Sequence, residues 1–222
     1  MRVKTYGSLT QLTFLSTVFP INAYIYEEAN SLTVIDIGVK GFVPVIRQIS
    51  QKLGKPVGRL LLTHAHGDHT GSLDEFRQTF KAEILISARD ARLLAGDLTL
   101  LAGESLPIKG GFSKVVTRQT GYIEDGMTVG SLQAIATPGH TPGRLAFYAA
   151  QTKTLIAGDA LQTRGGLAVA GYGSWTFPFV NFGTWDRALA VKSARKLAQL
   201  DINYLATGHG NVLQQPAVQQ VL

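Results

Sequence analysis

Short apolar runs of strand length alternate along the chain with stretches of helical periodicity. Apolar runs bounded by turn residues predict strands at 9–15, 22–27, 32–36, 59–63, 84–87, 132–137, 144–149, 154–157 and 203–206. Apolar residues at helical spacing from Val43 to Leu53 predict a helix that ends before Gly54. Further helices are expected at 71–80, 88–94 and 184–200, with a short one near Pro216. The glycine-rich stretch 96–130 predicts a long loop with one short strand near 114–118.

The order of these elements indicates the fold class. Strands come first, strands and helices then alternate, and the second half returns to strands before one more helix and strand. Two halves of this kind indicate two sheets packed face to face with helices outside. Loops that follow the strands would collect along one edge of this sandwich, where functional residues are expected.

Composition and charge narrow the class of protein. The 222 residues, 45% of them apolar, allow a single domain over 1–222 with a substantial core. The net charge of +6 is scattered without a basic run, so we predict no nucleic-acid partner and a small-molecule substrate, anionic or partly apolar. No apolar run reaches the ~20 residues of a membrane span, and none near the N-terminus has signal-peptide length. We therefore expect no membrane partner and a cytoplasmic protein.

All five histidines of the chain occur in motifs that suit metal coordination. Three lie within six residues, in the motif His64-Ala65-His66-Gly67-Asp68-His69. His140 lies in a turn made rigid by two Pro-Gly pairs, and His209 lies between two glycines after the last predicted strand. Because the chain has no cysteine, nitrogen and oxygen atoms must supply the ligands, which suits a catalytic metal site better than a structural one.

Spacing within the first motif favours two metal ions. In an extended loop, alternate residues project to one side, so His64 and His66 can hold one ion. Asp68 and His69 follow where the chain turns into a helix and can face a second ion. Asp159 follows an apolar strand, and a carboxylate there can bridge two cations ~3.5–4 Å apart. Taken singly, each residue also fits an ordinary loop or turn, but the concentration of histidine favours coordination.

These residues resemble the ligand motif of the metallo-β-lactamase fold superfamily, and the resemblance covers nearly the whole chain. The resemblance implies an α+β fold, the αββα four-layer sandwich with two mixed β-sheets face to face and helices on the outside. It also implies one metal held by His64, His66 and His140, and a second held by Asp68, His69 and His209. Asp159 would bridge the two. Two divalent ions are expected, zinc first, with iron or manganese as alternatives.

The resemblance also implies a chemistry. A hydroxide between the two metals would attack a carbonyl or phosphoryl centre, since coordination lowers the pKa of water from 15.7 to about 7. Asp68 is the candidate catalytic residue that orients the hydroxide and passes protons. Asp36 has two interpretations: it caps its turn, or it hydrogen-bonds to a ligand histidine.

Sequence differences from related families narrow the range of expected substrates. True β-lactamases of this fold usually lack the bridging Asp and many use a Cys ligand, whereas this chain has Asp159 and no Cys. The C-terminal helical domain of glyoxalase II is not expected, since only thirteen residues follow His209. Lactonases place a Tyr where this chain has Gln162. We predict hydrolysis of a small ester, thioester or lactone by a catalytic domain similar to that of glyoxalase II or a lactonase.

Three other functions stay open. One is an oxidoreductase similar to the persulfide dioxygenases, with a single iron. Another is a phosphodiester hydrolase of the same fold. A third is a metal-free binding module. The aromatic-rich stretch 172–185 has three interpretations as well: a wall of the substrate pocket, a plug in the core, or a contact between subunits.

Overall fold

The computed structural model describes residues 1–173, 175–216 and 218, and its first half forms one sheet. The strands are β1 (Arg2–Tyr6), β2 (Leu9–Phe14), β3 (Ile21–Glu27), β4 (Leu32–Ile35), β5 (Val57–Leu61), β6 (Glu83–Ile86) and β7 (Gly121–Tyr122). They pair in sequence order, antiparallel from β1 to β4 and parallel from β4 to β7. The sheet is therefore mixed, as expected.

The second half forms another mixed sheet and a small ribbon. Its strands are β8 (Thr128–Val129), β9 (Leu132–Ala136), β10 (Leu145–Ala149), β11 (Thr154–Gly158), β12 (Leu161–Gln162), β13 (Ala168–Val169), β14 (Tyr204–Thr207) and β15 (Leu213–Gln214). Six of them pair in the order β15-β14-β11-β10-β9-β8, and β12 pairs with β13 alone. In the six-stranded sheet, β11 and β14 are parallel and all other neighbours are antiparallel.

Helices cover the outer face of each sheet. The described helices are α1 (Phe42–Leu53), α2 (Gly67–Thr70), α3 (Leu73–Thr79), α4 (Ala88–Leu94), α5 (Phe179–Gly183) and α6 (Arg187–Leu197), and all except α2 contribute buried residues to these outer layers. Buried residues of α1, α3 and α4 share one core with the first sheet, and those of α5 and α6 share another with the second sheet. A third core lies between the two sheets. Three cores between four layers confirm the expected αββα sandwich.

The central strands show why their sequences are apolar throughout. On β11, Leu155 and Ala157 face the helices, whereas Ile156 lies in the core between the sheets. On β5 and the residue after it, Leu60 and Leu62 face the helices and Leu61 faces the other sheet. Successive side chains of a strand point to opposite faces, so a strand buried on both faces needs apolar residues at every position.

Several local predictions were wrong. Residues 114–118 form no strand, and the sheet is instead extended by β7. The helix expected at 71–80 is α3 (Leu73–Thr79), and the short helix α2 before it was not predicted. The helix expected at 184–200 begins at Arg187 and ends at Leu197. The short strands β1, β8, β12, β13 and β15 and the helix α5 were not predicted. Most of the short helix expected near Pro216 falls outside the described residues.

Four strands end at the edge of the sandwich where the site lies. The parallel strands β11 and β14 end there, and β9 runs in the same direction because two antiparallel pairings relate it to β11. In the first sheet, β5 delivers its following loop to the same place. Among the described residues, no helix is long and apolar enough to cross a membrane. The single domain over 1–222 stays a prediction.

Candidate metal centre

Loops after these four strands bring all seven predicted ligands together. The ligands that follow each strand are, for β5, His64, His66, Asp68 and His69, and, for β9, β11 and β14, His140, Asp159 and His209 respectively. His66 has an extended backbone and precedes α2, which contains Asp68 and His69. Six of the seven are buried, and Asp68 keeps 28% of its side chain exposed. The ligand roles themselves stay a prediction.

The first group consists of three imidazole nitrogens that face one point. His64 Nε2 lies 3.1 Å from His66 Nδ1, which lies 3.0 Å from His140 Nε2. In a tetrahedral zinc site with Zn–N bonds of about 2.0–2.1 Å, ligand nitrogens are separated by about 3.3 Å. The spacing of this group therefore fits a small divalent ion.

The second group combines carboxylates with imidazoles. Asp68 Oδ2 lies 3.2 Å from His209 Nε2 and 3.9 Å from His69 Nε2. Asp159 lies between the groups, with one oxygen 3.4 Å from His140 Nε2 and 3.3 Å from His209 Nε2. Its other oxygen is 3.5 Å from His69 Nε2. This position suits a carboxylate that bridges two ions.

Asp36 fixes the orientation of two site histidines, one directly and one through Thr63, on the side away from the ligand groups. Its Oδ2 accepts a hydrogen bond from His69 Nδ1 at 2.7 Å and another from the Thr63 hydroxyl at 2.8 Å. Because that hydroxyl donates to Asp36, it accepts from His64 Nδ1 at 2.9 Å. Asp36 Oδ1 accepts the backbone N–H of Thr63 at 2.8 Å. Asp36 therefore takes one of its two expected roles, the hydrogen bond to a site histidine. Its other side-chain bonds go to Thr63, just after β5, and do not cap its own turn.

The other three histidines are oriented in the same way. Their outer nitrogens lie against oxygen acceptors: His66 Nε2 3.0 Å from the Lys109 carbonyl, His140 Nδ1 3.1 Å from the Thr184 hydroxyl, and His209 Nδ1 2.7 Å from the Pro20 carbonyl. With the outer nitrogen donating, the inner nitrogen of every histidine has its lone pair directed at the common centre. This is the arrangement that metal ligation requires.

Burial and nearby carboxylates shift the histidine pKa values in opposite directions in the two groups. Burial lowers the pKa of His64 and of His140, so both rings are neutral near pH 7 and able to bind a cation. Burial alone would also lower the pKa of His209, but the carboxylates of Asp159 and Asp68 raise it to about 10. The carboxylates of the second group therefore favour a positive charge at this point, which either a proton on His209 or a metal ion in its place supplies.

Two observations test whether a metal fits here. His69 Nε2 and Asp159 Oδ1 are buried, and neither has a hydrogen-bond partner within the described part of the chain. These two atoms face each other at 3.5 Å without forming a hydrogen bond. Buried polar atoms are normally hydrogen-bonded, so the pair indicates a group that both of them bind. The donor set, five imidazoles and two carboxylates, is one that zinc, iron and manganese accept. The residues fit a pair of divalent ions.

Asp90 supports the site and was missed at the sequence level. This buried carboxylate in α4 accepts hydrogen bonds from the Ala65 N–H at 2.9 Å, the Thr141 hydroxyl at 2.8 Å and the Gly143 N–H at 2.8 Å. It thereby ties the loop that holds His64 to the loop that holds His140. A charged residue on the apolar side of a helix, four residues before Leu94, was the signal that could have revealed it.

Arg144 is a second buried charge that the sequence did not reveal. Its guanidinium donates to the Thr137 hydroxyl at 2.6 Å and to the carbonyl of Ala157. Burial lowers the pKa of Arg144 to about 10. The side chain thus fastens the turn before His140 to β11.

The aromatic stretch 172–185 divides between two of its expected roles. Phe177 is 1% exposed and Trp185 is buried, so both belong to the packed interior. Phe179 and Phe182 line the cleft above the candidate ligands. Trp175 is 87% exposed and lies outside that cleft. The stretch is therefore part core plug and part cleft wall.

Comparisons with known proteins agree with this geometry. A family model described as the metallo-beta-lactamase superfamily matches residues 16–209. The Bacillus subtilis protein YobT is 49% identical over 220 residues, covering 98% of this chain and 94% of that protein. The probable metallo-hydrolase YflN of Bacillus subtilis is 27% identical over 217 residues, covering 87% and 82% of the two chains.

Solved structures show the same fold. A metallo-beta-lactamase from Pontibacter korlensis aligns with a TM-score of 0.73 at 17% identity, covering 98% of this chain and 95% of that one. At this identity the likeness concerns the fold alone. Together with the histidine and aspartate groups, the comparisons place the chain among proteins that bind divalent metals and mostly act as hydrolases.

Proposed function

The chain belongs to the metallo-beta-lactamase superfamily, and from this we propose that it is a metal-dependent hydrolase that cleaves a small ester, thioester or lactone. The observation that supports this most directly is the pair of ligand groups that share Asp159. Two divalent ions held there, zinc first, would supply Lewis acidity and lower the pKa of a water molecule from 15.7 to about 7.

The residues divide the work as follows. His64, His66 and His140 would hold one ion, and Asp68, His69 and His209 the other, with Asp159 shared between them. Each histidine is fixed by an acceptor behind it, so the site is organised before a substrate arrives. Prepositioned charge of this kind is a large source of rate acceleration in enzymes.

Asp68 is the candidate to orient the attacking water and to hold its proton. It is the one member of the two groups whose side chain is substantially exposed to the cleft. Burial alone would raise the pKa of Asp68, but His69 and His209 lower it below its usual range, so the carboxylate is ionised at neutral pH. An ionised carboxylate at the cleft surface accepts a hydrogen bond from the attacking water and can take up the proton that this water releases.

Metal analysis joined to a substrate screen tests the proposal. We expect about two divalent ions per chain and turnover of esters, thioesters or lactones by zinc-loaded protein. Asp68→Ala should reduce kcat by about 10²–10⁴-fold, the usual contribution of acid–base catalysis. Glu124→Ala removes an exposed carboxylate outside the cleft and serves as the matched control.

Three results would overturn the proposal. About one iron per chain, with no ester turnover, would favour a dioxygenase. Cleavage of phosphodiesters with no cleavage of carboxylic esters would favour a phosphodiesterase. A metal content near zero after loading with zinc would instead indicate a binding protein without this chemistry.

A further inference from the structure

One wall of the cleft above the candidate ligands is apolar. The cleft has a volume of about 260 Å³ and is bounded on one side by site residues such as Asp68 and His140. Its large apolar lining residues, which we call the apolar wall, are Phe19, Phe179, Val180 and Phe182. It comes from two separate segments, the loop between β2 and β3 and the helix α5.

The apolar wall is fixed relative to the metal ligands. The ring of Phe19 contacts Phe179 edge-on at 4.7 Å between centroids and His209 edge-on at 5.2 Å. Phe177 lies beneath, 5.2 Å from both of these phenylalanines and 5.4 Å from His209. Aromatic contacts of this geometry are favourable, so the rings form a backed surface beside a ligand.

Much of this surface faces solvent. Phe179 is 52% exposed and Phe182 is 72% exposed, although both belong to a helix whose Val180 is buried. Exposed aromatic side chains grouped at the mouth of a cleft mark a place where an apolar ligand part is bound.

The distribution of charge in the cleft also favours an uncharged ligand part at the apolar wall. Among its lining residues, all within the described ranges, no lysine or arginine occurs, and the charged members are candidate ligands such as Asp68 and Asp159. A carboxylate or phosphate placed against the apolar wall would lose hydration and gain no partner, which is unfavourable. An alkyl or aryl group has no such hydration to lose, and its burial against the wall is favourable.

We propose that the apolar wall is an acyl-group subsite, so that the substrates are esters, thioesters or lactones whose acyl part carries an uncharged alkyl or aryl group. This rests on the proposed function, because the scissile carbonyl must lie over the ligand groups while the acyl chain extends along the wall. A charged acyl part is disfavoured. The net charge of +6 made an anionic substrate one expectation, but no basic side chain lines this wall.

Binding of straight-chain carboxylates tests the subsite without turnover. Zinc-loaded protein is titrated with acetate, butyrate and hexanoate. The three ligands share the same carboxylate and differ only in the length of the alkyl tail. Each methylene that leaves water is worth about fourfold in affinity, so a half-open wall should favour hexanoate over acetate by at least about tenfold. In Phe179→Ala and Phe182→Ala this ratio should fall towards one.

The control is Val116→Ala, which removes an exposed apolar side chain outside the cleft and should leave the ratio unchanged. Equal affinity for the three carboxylates in the unmodified protein would overturn the subsite, as would an unchanged ratio in both phenylalanine variants with normal zinc content.

A second arm separates failure of the subsite from failure of the proposed function. It compares kcat/KM for p-nitrophenyl acetate and p-nitrophenyl hexanoate. Hydrolysis of both at equal efficiency would refute the subsite and leave the hydrolase intact. A steep carboxylate series without any hydrolysis would refute the hydrolase. A preference for the hexanoate that is lost in the phenylalanine variants supports both.

Discussion

Replacement of Asp90 by alanine should destabilise the protein far more than loss of a typical carboxylate. The three groups that donate to Asp90 come from two loops, at Ala65, Thr141 and Gly143, and all three would lose their acceptor inside the protein. Each buried donor left unpaired costs about 1–3 kcal/mol. Burial raises the pKa of Asp90, which shows that its own charge is poorly solvated, and removing that charge offsets part of the loss.

The expected net loss is about 3 kcal/mol of unfolding free energy, near the lower end of the range for breaking a buried polar network. Urea unfolding of the metal-free protein measures it, with Glu124→Ala, at an exposed carboxylate, as the control. Zinc affinity should also weaken by about 10–100-fold, since the loops that hold His64 and His140 lose their common tie. A loss below about 1 kcal/mol with unchanged zinc affinity would refute the role given to Asp90.

Three further predictions concern packing, backbone and pH. Phe177→Ala should lower unfolding free energy by about 3–5 kcal/mol, whereas Trp175→Ala should change it by less than about 0.5 kcal/mol; comparable losses in urea unfolding would contradict the division between core and surface. Gly139→Ala should destabilise by more than about 2 kcal/mol, because φ is 142° and an added Cβ would overlap the backbone of α6; a melting temperature within a degree of the original would contradict this. Hydrogen bonds from Arg89 lower the pKa of Glu104, so their contribution is present above the unfolded pKa and is lost as the pH falls through the folded pKa. Glu104→Gln should therefore cost about 1 kcal/mol at pH ~7 and less at pH ~3, and an equal cost at both values would argue against the ion pair.

The long elements and the ligand candidates followed from the sequence because their signals are local. The strand β11 is apolar at every position since it is buried on both faces, and α1 shows helical spacing over its whole length. The motif from His64 to His69 holds four candidate ligands within six residues, so it indicates a metal site without information from distant segments. The structure places it close to His140 and His209. The superfamily resemblance is confirmed by the family model.

The rest depended on contacts between distant segments. Strands of two residues, such as β7 and β8, form through pairing with a neighbour and have no pattern of their own. The acceptors behind His66 and His209 are backbone carbonyls, which every residue possesses, so no residue type marks them. Asp90 and Arg144 are buried charges whose partners lie 7 to 53 positions away in the chain, and no periodic pattern links them.

Each ligand group draws on both halves of the sandwich. His64 and His66 follow a strand of the first sheet and His140 follows one of the second, and the same division separates Asp68 and His69 from His209. An ion in either group would therefore act as a crosslink between the sheets, and its binding free energy would resist their separation. A chain with only one sheet assembled could offer neither complete group, so tight metal binding would report that both halves have folded and docked.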